Sequence, residues 1–251
     1  MRLRLIALVV VLLLIPLAIV SLPARLIPRL LPADQLLLSG LSGSLLQGQA
    51  ARAILQTPAG PLHLGRVQWR VHPLSVLTLS PTVTLHSEWA QQRASLRASG
   101  RGDVLRLSDL DGSFSAGLVR QFVPLAVDGQ VQLLFSELVL DAAGPLSAEG
   151  QVVWQNALWQ SPGGGRPLGT YVAEITSTGE RQLSGRVDTL SGPVLATGDL
   201  SLDANTYGVN MLVTGRNRNL DPALAQALSL LAAPENSGYR LRLSGELAPQ
   251  R

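Results

Sequence analysis

From residue 36 onward, apolar and polar side chains alternate in short runs. Between residues 78 and 89, Leu79, Val83, Leu85 and Trp89 share one parity, with Thr82, Thr84, His86 and Glu88 on the other. Val131, Leu133 and Phe135 alternate with Gln132 and Leu134. Leu146, Ala148, Val152 and Trp154 share a parity, as do Tyr207, Val209, Met211 and Val213. Near the C-terminus, Tyr239, Leu241, Leu243 and Leu247 alternate with Arg240, Arg242 and Glu246. A period of two marks strands with one buried face. Pro81 lacks the amide proton a ladder needs, so its strand is an edge or begins after it. Glycine punctuates the runs in Ser-Gly pairs (Gly40, Gly43, Gly100, Gly185, Gly192, Gly245). At Gly65 the phase changes: Leu62 and Leu64 precede it on even positions, and Val67, Trp69 and Val71 follow on odd ones. A bulge there brings both sets onto one face. The pattern predicts a mostly β protein, a meandering antiparallel sheet with glycine joints.

Helical signals are few. Residues 115–122 form a short candidate that stops before Pro124. A better one covers residues 221–233: Asp221 offers an N-cap, Pro222 suits the first helical position, and Leu224, Leu228 and Leu231 fall on one stripe. Residues 234–238 break this helix before the last strand, and it is expected to cap one end of the sheet. No stretch marks a domain boundary. The most linker-like one, residues 161–167 (SPGGGRP), reads as an exposed loop because strand patterns continue on both sides.

The N-terminus departs from this pattern. Residues 5–22 (LIALVVVLLLIPLAIVSL) carry no charge. At ~1.5 Å rise per residue they reach ~27 Å as a helix, close to the ~30 Å of a bilayer's hydrocarbon core. Leu5, Val10, Leu14, Pro16 and Leu22 mark this segment, and a membrane helix tolerates the kink at Pro16. A cleaved signal peptide competes with a retained anchor. The long apolar run, and Leu22 two positions before Ala24, favour the anchor. Arg2, Arg4 and the amino terminus face Arg25 and Arg29 across the span, a contrast of one amine. A long region without a second span suits translocation, so the N-terminus is expected inside and the domain outside. The expected organisation is a cytoplasmic tip (1–4), a transmembrane signal-anchor (5–22), a juxtamembrane linker (23–35) and an exported β domain (36–251), which in a bacterium means inner membrane and periplasm.

Composition narrows the function classes. All 20 basic residues are arginine, and the net charge is only +3. The arginines are scattered, without the basic cluster of a nucleic-acid binder. There is no cysteine, so disulfides and thiolate chemistry are excluded. His63, His72 and His86 have no metal-ligand spacing and read as strand-surface or turn residues. Gly163-Gly164-Gly165-Arg166 lacks the ending of a phosphate loop. Asp109 and Asp111, flanking Leu110, read as turn residues more readily than as a catalytic pair. Neither a nucleophile elbow nor a Ser-x-x-Lys motif is present. No catalytic residue, cofactor or metal is expected. Trp69, Trp89, Trp154 and Trp159 read as core or edge aromatics, with lining of an apolar groove as the alternative.

Several blocks together resemble the protein N family of the type II secretion system of Gram-negative bacteria. Gly40-Leu41-Ser42-Gly43-Ser44-Leu45-Leu46-Gln47-Gly48-Gln49-Ala50 is similar to a family stretch that usually has Trp where this chain has Leu46. The segment from Val67 through Trp69 and Pro73 to Leu77 resembles a second block. The segments containing Trp154 (150–157) and Gly169 (167–171) resemble its central blocks, and the Asp221 helix and Ser237-Gly238-Tyr239 fit its end. The resemblance implies an inner-membrane accessory or assembly component of an exporter of folded proteins. Its partners would be the inner-membrane platform, the outer-membrane secretin, or both. It also implies kinship with the AsmA-like group, hence a curved sheet forming an open trough or half-barrel, with lipid binding or transfer as the alternative function. Gly40, Gly43, Gly48, Trp69, Pro73, Trp154 and Gly169 would be structural residues of the family motifs.

Overall fold

A computed structural model of the chain describes residues 22–30, 36–57, 60–73, 75, 80–117, 126–161, 163–217, 219–236 and 238–246. Leu5, Val10, Leu14 and Pro16 lie outside the described residues, as do most of the 115–122 helix candidate and Leu247. No helix among the described residues is long and apolar enough to cross a membrane.

The strands are β1 (Leu36–Gly43), β2 (Gln47–Thr57), β3 (Gly60–Val71), β4 (Thr82–Trp89), β5 (Gln92–Arg101), β6 (Val104–Ser115) and β7 (Val127–Asp141). They continue with β8 (Gly144–Ser161), β9 (Gly164–Gly179), β10 (Gln182–Ser191), β11 (Val194–Asp203), β12 (Thr206–Gly215), β13 (Ala233–Glu235) and β14 (Gly238–Glu246). Among the described residues these fourteen strands belong to one antiparallel sheet. They are hydrogen-bonded in chain order, except that β14 lies between β12 and β13. Such an order is what short hairpin connections produce, and most joints after β4 are two-residue turns. The sheet is open, with β1 and β13 as its outermost strands. β13 covers only Gly238, Tyr239 and Arg240 of β14, so residues 241–246 carry no strand on their outer side among those described. Leu243, expected to be buried, is 47% exposed there.

By contacts the chain forms two compact units, Met1–Arg93 and Ala94–Arg251. In the first, the phase change at Gly65 is present as expected. Register shifts flank the Ala53↔Gly65 pair, and Gly65 takes φ +69°. Leu62, Val67, Trp69 and Val71 are each more buried than the residues on either side, and Leu64 is half-buried next to buried Gly65. β4 begins at Thr82, just after Pro81. The core here is Ala24, Ala50 and Trp69, with Ile27, Leu38, Leu41, Val83 and Leu85 packed against it. Ala24 and Ile27 thus belong to this core. Pro23 bridges Ser44, and Leu45 N–H donates to the Leu22 carbonyl at 2.9 Å.

In the second unit, β8 carries an extra residue against both neighbours around Asn156, whose φ is +49°. This shift puts even-numbered Trp154 and odd-numbered Ala157 in the same cluster, with Tyr171 and Ala196. Two turn assignments need correction. Asp109 and Asp111 both sit inside β6; Asp109 takes φ +51°, a conformation Asp tolerates better than most side chains, and ion-pairs with Arg97 at 3.1 Å. The 161–167 segment is mostly strand: Ser161 pairs with Gly164, and β9 runs from there through Pro167. The late helix covers Pro222–Ser229, shorter than expected, and Asp221 caps it by accepting from the amides of Ala223 and Leu224. Leu231 lies beyond the helix and is 60% exposed. Ala233–Glu235, expected as helix end and breaker, pairs with β14 instead.

Candidate functional site

Two sites merit description, one in each unit. In the first, the Gly-Leu-Ser-Gly motif shapes the β1–β2 hairpin. Gly43 takes φ +87°, and a Cβ on it would lie 2.6 Å from the Gln47 carbonyl oxygen. At Gly48 a Cβ would meet Trp69 Cζ2 and the Ser42 oxygen, both at 2.6 Å; at Gly40 it would meet the Ala51 methyl at 2.6 Å. Such distances exclude any side chain without backbone movement. The missing side chain at Gly48 leaves room for the Trp69 ring against the hairpin. Trp69 is buried, and its indole N–H donates to the carbonyls of Leu45 (3.1 Å) and Ser44 (3.3 Å). The fold thus brings Gly40, Gly43, Gly48 and Trp69 together. Pro73 follows β3 at a turn where Ser75 N–H bonds the His72 carbonyl at 3.0 Å.

The same strands line a groove of about 590 Å³, where Ser42, Gly43, Gly48 and Trp69 meet an array of polar side chains. The array is ordered by strand register: Gln49 faces Gln68, which faces His86; Gln47 faces Arg70, which faces Thr84. His72 Nε2 lies 3.1 Å from Thr84 Oγ1. Among the described residues, no carboxylate lines the groove. Sequence reasoning treats these residues one by one; only the register shows them as a platform. His63 is elsewhere, stacked on Trp89 with ring centroids 6.0 Å apart. Among the described residues, no group of three His, Asp or Glu side chains is placed to hold a metal.

The second site is an apolar cavity of about 300 Å³ in the second unit. Its walls come from β8 to β12 (Trp154, Leu168, Tyr171, Val194 and Met211 among them), and the Pro222–Ser229 helix closes one side with Leu224 and Leu228. Trp154 and Tyr171 pack with tilted rings 5.9 Å apart. Both polar tips are satisfied by backbone: the Trp154 indole N–H donates to Asp128 O (3.1 Å) and the Tyr171 hydroxyl to Val194 O (3.0 Å). Burial pushes the Tyr171 phenol up to about 12. Gly169 lies beside this site with φ +142°, where a Cβ would be 2.2 Å from Ser191 O; Gly192 opposite is equally crowded. Arg166 ties β9 to the helix through Asp221 at 3.4 Å. Among the described residues the wall presents no unpaired polar group, so its chemistry suits hydrocarbon and nothing that must be hydrogen-bonded. The sequence signals were the Trp154 and Gly169 blocks and the Leu224/Leu228 stripe. The contributions of Val194, Ala196 and Met211 are invisible until the strands are laid side by side.

The comparisons with known proteins agree on one family. The model of "Type II secretion system (T2SS), protein N" matches residues 34–242, from before β1 well into β14. The chain is 27% identical over 242 residues to the type II secretion system protein N of Aeromonas hydrophila, covering 91% of this chain and 92% of that protein. It is 26% identical over 250 residues to the corresponding protein of Vibrio cholerae serotype O1, with the same coverage. No solved structure matches.

Proposed function

The chain belongs to the type II secretion system protein N family and is thus a component of that machine; from this premise we propose that it acts as an inner-membrane accessory or assembly subunit. In this reading residues 5–22 hold it in the inner membrane with the N-terminus cytoplasmic. The sheet then stands in the periplasm, where it touches the inner-membrane platform, the outer-membrane secretin or both. The carrying observation is that the family match runs from β1 into β14, residues 34–242, and not through one module of the sheet. The geometry supports the reading through the outer side of β14 at residues 241–246, where backbone groups are available for strand addition by a partner. No catalytic role is proposed. The test is removal of the gene, followed by the amount of folded substrate released to the medium. Loss of release, restored by the full chain, supports the reading; undiminished release refutes it.

A second reading has its own observation. The apolar cavity under the Pro222–Ser229 helix supports lipid binding of the AsmA-like kind. Native mass spectrometry of gently extracted protein decides: a lipid adduct that disappears in Ala196→Trp supports it, and a lipid-free mass counts against it.

A further inference from the structure

The two units differ in charge. Beyond the apolar run, residues 23–93 hold six arginines against two carboxylates, and residues 94–251 hold twelve against fifteen, so the first unit is cationic there and the second mildly anionic. They also differ in how the charge is used. In the second unit Arg97, Arg106, Arg166, Arg181 and Arg240 each meet a carboxylate. Among the described residues of the first unit, Arg25, Arg52, Arg66, Arg70 and Arg93 are exposed and none makes an ion pair. Glu88, the one carboxylate among the described residues of this unit, stands in register with Arg66 and not with Arg70. The groove sets one of these unpaired guanidinium groups, Arg70, beside His72 and His86 and the amides of Gln47, Gln49 and Gln68. Its open side is fixed by backbone, because Gly43 and Gly48 admit no side chain.

The position of this groove along the chain limits what can reach it. The apolar run 5–22 ends at Leu22, and Leu22 and Pro23 are bonded directly to the turn between β1 and β2, at Leu45 and Ser44. The same turn forms the groove's rim through Ser42, Gly43 and Gln47. No slack separates the end of the apolar run from the groove. With residues 5–22 in a bilayer, the rim stands at the headgroup level.

We infer that the β2–β4 groove docks onto the membrane surface by binding the phosphate of an anionic phospholipid headgroup. The Arg70 guanidinium is the bidentate partner of the phosphate oxygens, and the imidazoles and glutamine amides donate around it. Guanidinium groups near a charged bilayer act as a short-range electrostatic anchor. This inference rests on the bilayer placement of residues 5–22 in the function proposed above.

The test uses the full chain reconstituted into vesicles of phosphatidylcholine, with and without phosphatidylglycerol. Alkaline carbonate extraction of those vesicles reads the anchor first; release of the protein overturns the anchor and this inference with it. With the protein retained, amide hydrogen exchange is followed at residues 47–49, 66–72 and 84–86, with the second unit as internal reference. The expected result is exchange slowed about fivefold by phosphatidylglycerol. The slowing is lost in high salt, lost in Arg70→Gln, and kept in Arg186→Gln on the second unit. Equal exchange in both vesicle types overturns the inference while leaving the anchor intact. Slowing by inorganic phosphate with phosphatidylcholine alone also overturns it, because the ligand is then a free anion. The salt comparison on the unaltered chain stands even if Arg70→Gln fails to fold.

Discussion

Replacing Gly65 with alanine tests the link between sequence phase and fold. Gly65 occupies the left-handed region at φ +69°, where an L side chain costs about 1–2 kcal/mol. A Cβ would also lie 2.4 Å from the Glu88 carbonyl oxygen and 2.6 Å from the Trp89 Cβ. Neither neighbour is the free end of a flexible side chain, so β3 and β4 must separate locally. That separation disturbs the ladder from Arg66↔Glu88 to Val71↔Val83 and the Trp69 packing next to it. Overpacking of this kind costs about 1–3 kcal/mol, so the sum expected is roughly 2–5 kcal/mol. The assay is urea denaturation of the full chain in mild detergent, followed by tryptophan fluorescence. Gly100→Ala, with nothing within 4 Å of its added Cβ, serves as the reference. A Gly65→Ala loss no larger than that of Gly100→Ala would refute the reasoning that Gly65 holds the two halves of β3 on one face.

Other predictions follow from single side chains. Trp69→Phe keeps most of the buried area and loses the indole bond to Leu45 and Ser44, a loss of about 1 kcal/mol, whereas Trp69→Ala costs about 3–5 kcal/mol; the same urea assay separates them. Asp221→Ala removes the cap of the Pro222–Ser229 helix and costs about 1 kcal/mol, read as earlier hydrogen exchange at Ala223 and Leu224. The raised Tyr171 phenol predicts an alkaline limb: below pH 10 it is neutral folded and unfolded, and stability is intact. Between pH 10 and about 12 the unfolded chain releases its proton first, so stability falls by about 2–3 kcal/mol, and Tyr171→Phe flattens that fall. At acid pH the Arg181 guanidinium holds the Asp141 carboxyl below its ordinary value. Its stabilising contribution is present above the ordinary carboxylate value and lost as pH falls through the lowered one, and Arg181→Gln abolishes that dependence in an acid titration.

The period-two runs carried most of the fold. They located the strands, the late start of β4 after Pro81 and the phase change at Gly65, because burial on one face leaves a direct trace in alternation. What alternation could not reveal was irregularity without glycine. Asp109 and Asn156 both take positive φ inside strands, and the first reads from sequence as a turn. The late helix was legible through Asp221 and Pro222, but its end was not. Leu231 continued the stripe by spacing alone, whereas the chain turns at Leu230 to reach the β13 pairing. The sites were legible only in part. Trp69, Trp154 and the crowded glycines stood out as motif residues. The groove and the cavity each depend on neighbours across strands, such as Gln49, Gln68 and His86, whose adjacency is a property of register.

Family membership and an open sheet edge make a specific claim about contact. Photo-crosslinking groups placed one at a time along residues 241–246, in secreting cells, measure it directly. The account predicts adducts to another subunit of the secretion system, alternating in yield with residue number as in an added strand. Uniform absence of adducts along this edge, in cells whose export is intact, would contradict it.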